Sequence, residues 1–305
     1  MRLADLAGSS LYALAYFVGR LPLRALDGLG AVTAWLARVL DVREARVARC
    51  NLAVIGPPLD GPARERMLRQ TLRATFTGLF QTLRLWTRPE RANLRLIGAV
   101  HGQAAFDAAL AAGKGLIVAA PHYGNWELLN QWLASRTPIM ILYRPPEHAS
   151  GEAFLRRVRG RANVQQVPAT GTAMRQLFRT LAGGGVVGIL PDQQPKAGDG
   201  LFAPFFGRPA LSMTLLPRLA QRTGASVLFA VAERVAGRAH FDIHIFPADA
   251  ALHGDDLAAA VAAMNAAVEA IARRDLAQYQ WTYKRYSVLP PGTLGPDPYA
   301  PGFVP

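Results

Sequence analysis

Among 305 residues the chain has one cysteine, Cys50. That excludes an intramolecular disulfide and a thiolate metal cluster, and it fits a reducing, cytoplasm-facing location. Phosphate loops are missing too. No Lys-Ser or Lys-Thr follows Gly183-Gly-Gly185, so that run is a turn before a buried strand. The chain lacks helix-turn-helix, zinc-finger and RNA-binding signatures, and its aromatics sit inside apolar runs rather than among basic residues. Nucleic acid is therefore set aside as a partner. Internal repeats are absent. Residues 6–19 are uncharged and mostly apolar, but at ~1.5 Å per residue they cover about 21 Å of a ~30 Å hydrocarbon core. They make a poor signal peptide as well, since no small-x-small cleavage site follows them.

Apolar residues make up 51% of the chain, which argues against disorder and toward association with a membrane. The length allows one large or two small domains. The formal net charge is +13, nearly all of it from arginine. This asks for an anionic partner such as a bilayer surface, an acidic carrier protein or a phosphorylated lipid.

Residues 6–19 contain Tyr12 and Tyr16. A second apolar stretch, 28–37, contains Trp35 and runs into Arg38, Arg43, Arg46 and Arg49. This pattern suits a helix lying in the membrane interface, or else an amphipathic helix packed on the globular body. Residues 57–95 carry Leu68, Leu72, Phe76, Leu79 and Leu83 at near-helical spacing and predict a helix that packs on a sheet or lines a lipid groove. Beyond residue 115 strand-like and helix-like segments alternate. Strands are predicted at 116–120, 139–143, 186–190, 227–231 and 241–246, and helices around 125–135, 151–160, 172–182, 211–222 and 255–273. The fold class is α/β, with a mixed central sheet flanked by helices. Three parts are expected: a membrane-associated helical segment (1–40), the α/β domain (41–290) and a loosely held Pro/Gly-rich tail (291–305).

The segment Gly115 to Asn130 carries the densest chemistry. A buried-strand run ends at Pro121, and a helical pattern starts at Trp126. Ligands in α/β proteins sit beyond the carboxyl ends of strands, and there the chain places His122 and, five residues on, Glu127. In the first helical turn Glu127 is expected to reach back to one imidazole nitrogen, leaving the other as a base; the alternative is a helix cap and a dipole partner. Backbone N–H groups of Gly124 and Asn125 are expected to face an anion at the helix N-terminus.

His122-Tyr-Gly-Asn-Trp-Glu127, followed by Leu190-Pro-Asp-Gln193, Pro204-Phe-Phe-Gly207 and Gln280-Trp-Thr-Tyr-Lys-Arg285, resembles the late acyltransferases of lipid A biosynthesis, the lauroyl and myristoyl transferases of Gram-negative inner membranes. The motifs occur in that family's order over nearly the whole chain. The resemblance implies a glycerolipid-acyltransferase-like fold with an N-terminal membrane anchor on the cytoplasmic face of the inner membrane. It implies transfer of a fatty acyl group from acyl carrier protein to a hydroxyl of a lipid A precursor, with His122 as general base, Glu127 as its orienter, and no cofactor or metal. The same motifs would serve a lysophospholipid, an aminolipid or a pigment-type lipid as acceptor. A thioesterase and a catalytically silent lipid-binding protein are the rivals of other classes.

Further site residues follow from the same resemblance. Arg144, after a strand end, is expected at substrate phosphate. Of Arg156, Arg157, Arg159 and Arg161, Arg159 is chosen to reach the thioester or headgroup; a solvated face is the alternative. Asp192 and Gln193 end a strand on the edge that carries His122, and are expected to bind the acceptor or organise the site. Gln194 stands where many relatives have a further acidic residue, so no metal is assigned there. Asn125 completes the binding set. Residues 202–209 read as an apolar loop ending in Arg208, either an acyl-groove and headgroup wall or a plain hydrophobic corner. Trp281 and Arg285 read as closing the domain. His240, Asp242 and His244 share the polar face of a strand, with no further ligand evident; His101, His148 and His253 lie near loops.

Overall fold

A computed structural model describes residues 3–55, 61–143, 145–146, 148–160, 163–169, 173–196, 198–237, 240–293 and 298–300. Its centre is a seven-stranded mixed sheet. In chain order the strands are β1 (Ile97–His101), β2 (Leu116–Ala119), β3 (Ile139–Tyr143), β4 (Val164–Pro168), β5 (Val186–Ile189), β8 (Ser226–Arg234) and β9 (Phe241–Pro247), arranged β1-β9-β8-β2-β5-β3-β4. β8, β2, β5, β3 and β4 run parallel, and only the β8–β9 pairing is antiparallel. β6 (Gly200–Phe205) and β7 (Arg208–Met213) form a separate hairpin.

Both faces of the sheet are covered, as a parallel sheet requires. All four residues of β2 are buried: Ile117 and Ala119 join one core, Leu116 and Val118 the other. Helix α7 (Trp126–Arg136) adds Leu128, Leu129, Trp132 and Leu133 to the second core. Helices α9 (Ala173–Ala182), α10 (Leu215–Thr223) and α11 (Leu257–Ala272) pack against the first.

Before the sheet come α1 (Leu3–Gly19), α2 (Leu23–Val39), α3 (Arg43–Ile55) and α4 (Gly61–Thr87), and the short helices α5 (Glu90–Leu94) and α6 (Gln103–Ala111) flank β1 in the chain. α1 packs on α4 and on α8 (Ala149–Arg159), and α2 packs on α4. No helix among the described residues is long and apolar enough to cross a membrane. Leu11, Leu14 and Phe17 of α1 are nevertheless exposed, as are Val32, Trp35, Leu36 and Val39 of α2.

One local expectation is corrected, and two further features add to the sequence reading. Residues 202–209 are not a loop: Ala203 pairs with Ala210 and Pro204 with Pro209, and the turn at Phe206-Gly207 has both residues at positive φ. Tyr299 is held in place: its hydroxyl donates to Asn51 Oδ1 (2.6 Å) and accepts from the Tyr286 N–H (3.0 Å). A third helix, α3, occupies the basic stretch after residue 40 and supplies Asn51, which donates to the carbonyls of Trp281 and Tyr283 at 2.6 and 2.8 Å.

Candidate active site

His122 and Asp192 come together because β2 and β5 are neighbours in register. Ala119 pairs with Ile189, and each functional residue lies the same number of positions beyond that pair, directly after a proline, Pro121 or Pro191. Each proline ends its strand by removing a ladder donor. The aspartate then grips the histidine twice. Its Oδ2 accepts the His122 backbone N–H (2.8 Å), and its Oδ1 lies 2.8 Å from Nδ1. With an ionised carboxylate at that nitrogen, the proton sits on Nδ1 and the lone pair on Nε2, where the Gln193 side-chain amide approaches to 3.2 Å.

Asp192 is buried, and burial pushes its carboxyl pKa up. The neighbouring imidazole and the hydrogen bonds from His122 outweigh that and hold it below the usual carboxylate range. Tyr279 also bonds to it; burial, followed by the nearby Asp192 charge, raises the Tyr279 phenol well above its ordinary value, so that it stays a neutral donor.

Here the structure departs from the sequence expectation for Glu127. Its carboxylate does not hold the imidazole. It is buried and paired with Arg159, whose Nε donates to Oε1 at 2.8 Å and whose Nη2 reaches the same oxygen. The residue of α7 that faces His122 is Trp126, at 6.2 Å between ring centroids. Arg159 lies over the faces of Trp126 (4.9 Å) and Trp86 (5.7 Å). Neighbouring Arg157 turns away to stack on Tyr12 of α1.

The expected anion-facing N–H groups are spent as well. Gly124 N–H donates to Gln278 O (3.0 Å) and Asn125 N–H to Ala232 O (2.9 Å). Gly124 has φ +60, and a Cβ there would collide with the Ala232 carbonyl, so only glycine lets the chain approach this closely. Asn125 caps α7 by accepting the Leu128 N–H (3.2 Å). That bond fixes its amide and leaves its buried Nδ2 without a partner among the described residues.

Two cavities meet at the imidazole. One, of about 480 Å³, has α4 as a wall, with Phe76, Leu79 and Trp86. The other, of about 410 Å³, runs along the ends of β3 and β5 past Leu142, Tyr143, Gln193 and Met213. His122, Trp126 and Arg159 line both. The remaining candidates are placed differently. Arg208 lines neither cavity; its Nε donates to Val54 O (3.1 Å) at the hairpin. Arg144 and Arg161 lie outside the described residues. Asp192 stands behind the imidazole rather than on a cavity wall.

The C-terminal motif braces this arrangement. Gln280 N–H donates to His122 O (3.0 Å), and Tyr283 OH accepts the Gln194 N–H (2.9 Å). Trp281 is fully buried and donates to Leu276 O (2.7 Å), while Arg285 binds Leu211 O and Ser212 Oγ, both at 2.6 Å.

Residues 4–287 match the bacterial lipid A biosynthesis acyltransferases. The chain belongs to that family. The acyltransferase is 24% identical over 281 residues to the lipid A biosynthesis lauroyltransferase of Escherichia coli K12, covering 91% of this chain and 90% of that one. It is 30% identical over 127 residues, 40% of each chain, to the phosphatidylinositol mannoside acyltransferase of Mycobacterium tuberculosis.

Sequence reasoning missed the Asp192–His122 contact in this acyltransferase. The available signal was the repeated strand-Pro-polar pattern of Ala119-Ala-Pro-His122 and Ile189-Leu-Pro-Asp192. It also missed Trp86 and Tyr279, which carry no motif of their own. A second polar cluster sits on the edge of the sheet. His101 of β1 stacks on His244 of β9 at 4.5 Å, and ligand atoms of His101, Asp242 and His244 lie within 4.8 Å of one another. Arg274 Nη2 stands 3.4 and 3.3 Å from the two His244 nitrogens, a positive charge that opposes a bound cation. Burial, then that guanidinium, lowers the His244 pKa.

Proposed function

We propose that this acyltransferase moves a fatty acyl group from the thioester of acyl carrier protein to a hydroxyl of a lipid A precursor, at the cytoplasmic face of the inner membrane. The observation that carries this reading is the His122 imidazole at the junction of two cavities, with Nδ1 fixed on a buried carboxylate. One cavity, walled by Phe76, Leu79 and Trp86, suits an acyl chain; the other, with Gln193 and Arg159 among apolar residues, suits an amphipathic acceptor.

In the proposed mechanism the acceptor hydroxyl takes the place of the Gln193 amide at Nε2. As its oxygen attacks the thioester carbonyl, the proton passes to Nε2, and Asp192 stabilises the imidazolium across Nδ1. The freed Gln193 amide is a neutral donor for the tetrahedral oxyanion, whereas the Gly124 and Asn125 backbone N–H groups are committed elsewhere. Collapse breaks the C–S bond, the thiolate takes the proton from Nε2, and ester and free thiol leave. Proton transfer of this kind calls for no redox cofactor and no metal. Arg159 binds donor or acceptor phosphate from between its two tryptophans. The net charge of +13 and the exposed apolar residues of α1 and α2 support an acidic carrier and an anionic membrane as partners.

A second reading keeps the chemistry and changes the acceptor to another glycosylated lipid. The partial similarity to a phosphatidylinositol mannoside acyltransferase favours it. Mass spectrometry of membrane lipids from cells with the gene, without it, and with His122→Ala separates the two. Loss of one secondary acyl chain from lipid A in both altered strains is expected. Unchanged lipid A with another lipid losing an acyl group selects the second reading. Unchanged lipids throughout would sink both.

A further inference from the structure

α2 and α4 run antiparallel and touch most closely at Gly30, where any Cβ would overlap Thr77. On one side of that crossing Gln81 donates to Asp27 (3.1 Å). On the other the helices part, and Arg38 spans the gap at its far end to Glu65 (3.1 Å). Between Gly30 and Arg38 lies a groove of about 470 Å³. Ala31 and Ala34 are its small α2 residues, and Arg38, Arg66, Arg69 and Arg73 bring four guanidinium groups to it. Glu65 meets two of them, Arg38 and Arg69 (3.7 Å). Arg66 and Arg73 form no hydrogen bond or ion pair with any described residue, although each faces the groove. Two exposed arginine side chains on one groove with nothing to neutralise them make a site suited to an anion.

The other side of α2 says which anion. At about 3.6 residues per turn, Val32, Leu36 and Val39 form a single stripe, and all three are exposed. Ala34 and Arg38 fall on the groove side. Trp35, 56% exposed and also lining the groove, stands at the border between stripe and arginines. Apolar stripe, indole at the boundary and guanidinium beyond is the depth profile of a bilayer surface, from acyl chains to phosphates. An acidic protein would answer the arginines and leave the stripe in water.

We propose that the α2–α4 groove is a binding site for the phosphate of an anionic phospholipid, seated while the stripe of α2 rests among the acyl chains. This rests on the reading that the enzyme works on lipids at a membrane. The groove shares no lining residue with the cavities at His122, so docking and chemistry can be tested apart.

The test uses the full chain and vesicles of phosphatidylcholine, alone or with phosphatidylglycerol at about one part in three. Wild type is expected to float with the anionic vesicles and to lose that preference in high salt. In the double variant R66Q/R73Q affinity for anionic vesicles should fall roughly 30-fold, with neutral vesicles bound as before and the melting temperature unchanged, since both side chains are exposed and unpartnered. Trp35→Ser should weaken binding to both vesicle types. Equal anionic binding by wild type and R66Q/R73Q would overturn the proposal. So would a double variant that keeps vesicle binding but loses titratable binding to an acidic carrier protein. Acyl transfer to a detergent-dispersed acceptor, measured in parallel, should be intact in R66Q/R73Q and abolished in H122A, with H122A still floating. Failure of the groove thus alters only the vesicle readout, and failure of the acyltransfer reading only the second.

Discussion

Among the described residues the sheet carries two histidine–aspartate pairs. Nδ1 of His122 lies 2.8 Å from Asp192, with the two side chains 13% and 3% exposed. Nε2 of His101 lies 3.8 Å from Asp242, and there the exposures are 56% and 25%. The first pair sits beyond the carboxyl ends of two neighbouring parallel strands, where the pleat stops and space opens. The second sits on the sheet's edge, beside the Arg274 guanidinium. Residue type is the same in both. What differs is that Asp192 also holds the His122 backbone N–H, so ring and main chain are fixed by one carboxylate, and that the other imidazole nitrogen, beside the Gln193 amide, lies at the cavities. Asp242 spends an oxygen on the Ala99 N–H (2.9 Å), which ties β1 to β9 rather than aiming a ring.

Substitutions can break this contrast in order of expected size. His122→Ala should lower kcat by about 10³-fold with little change in KM, measured on acyl-carrier thioester and lipid acceptor; a residual rate near wild type would remove His122 from the chemistry. Asp192→Asn keeps the shape and loses the charge, and should lower kcat by about 10²-fold. Arg159→Met removes a partner from buried Glu127 and should cost about 3 kcal/mol of stability in denaturant unfolding. If Glu127 rather than Asp192 oriented the base, Glu127→Gln and not Asp192→Asn would show the larger kcat loss at unchanged fold.

A pH scan sharpens the comparison further. The depressed Asp192 pKa means that the unfolded chain takes up a proton before the folded one as pH falls. Its contribution to stability is present above the ordinary carboxylate range and lost as pH falls through the lowered folded value. Asp192→Asn should flatten part of the acid limb of the unfolding curve; an unchanged limb would contradict the tight pair. The smallest effect belongs to the edge: His101→Ala should leave kcat unchanged and shift stability by no more than about 0.5 kcal/mol.

Much of the architecture was readable because β2, β3, β5 and β8 are interior strands, and strands buried on both faces must be near-continuous apolar runs, while β9 shows the apolar–polar alternation of a half-buried strand. β4, Val-Gln-Gln-Val-Pro, is an edge strand with a half-polar pattern, and β1, Ile-Gly-Ala-Val-His, is another. Neither carries a run to detect. Pro204 and Pro209 disguised the hairpin, although they face each other across it. At the site, His122 was visible from a strand end followed by a helix. Asp192 was visible as a site residue on the same edge but not as the partner of His122, since the two meet through strand order and register, which local spacing does not encode. Glu127 looked right by distance along the chain alone. The turn at Gly124 and the cap at Asn125 set the start of α7 so that Trp126 meets the imidazole and Glu127 is left to α8.

The bracing by residues 278–286 bears on how the protein is made. His122 and Asp192 leave the ribosome long before the segment that fastens their loops, so a chain paused ahead of Gln278 holds both reacting side chains but lacks the Gln278 carbonyl that receives the Gly124 N–H, the Gln280 N–H that ties His122, and the Tyr283 hydroxyl that ties Gln194. On the proposed mechanism, catalytic competence therefore arrives late in synthesis. If α1 and α2 rest on a membrane as proposed, they have by then long been free to reach it, and the finished enzyme is switched on where its first helices lie.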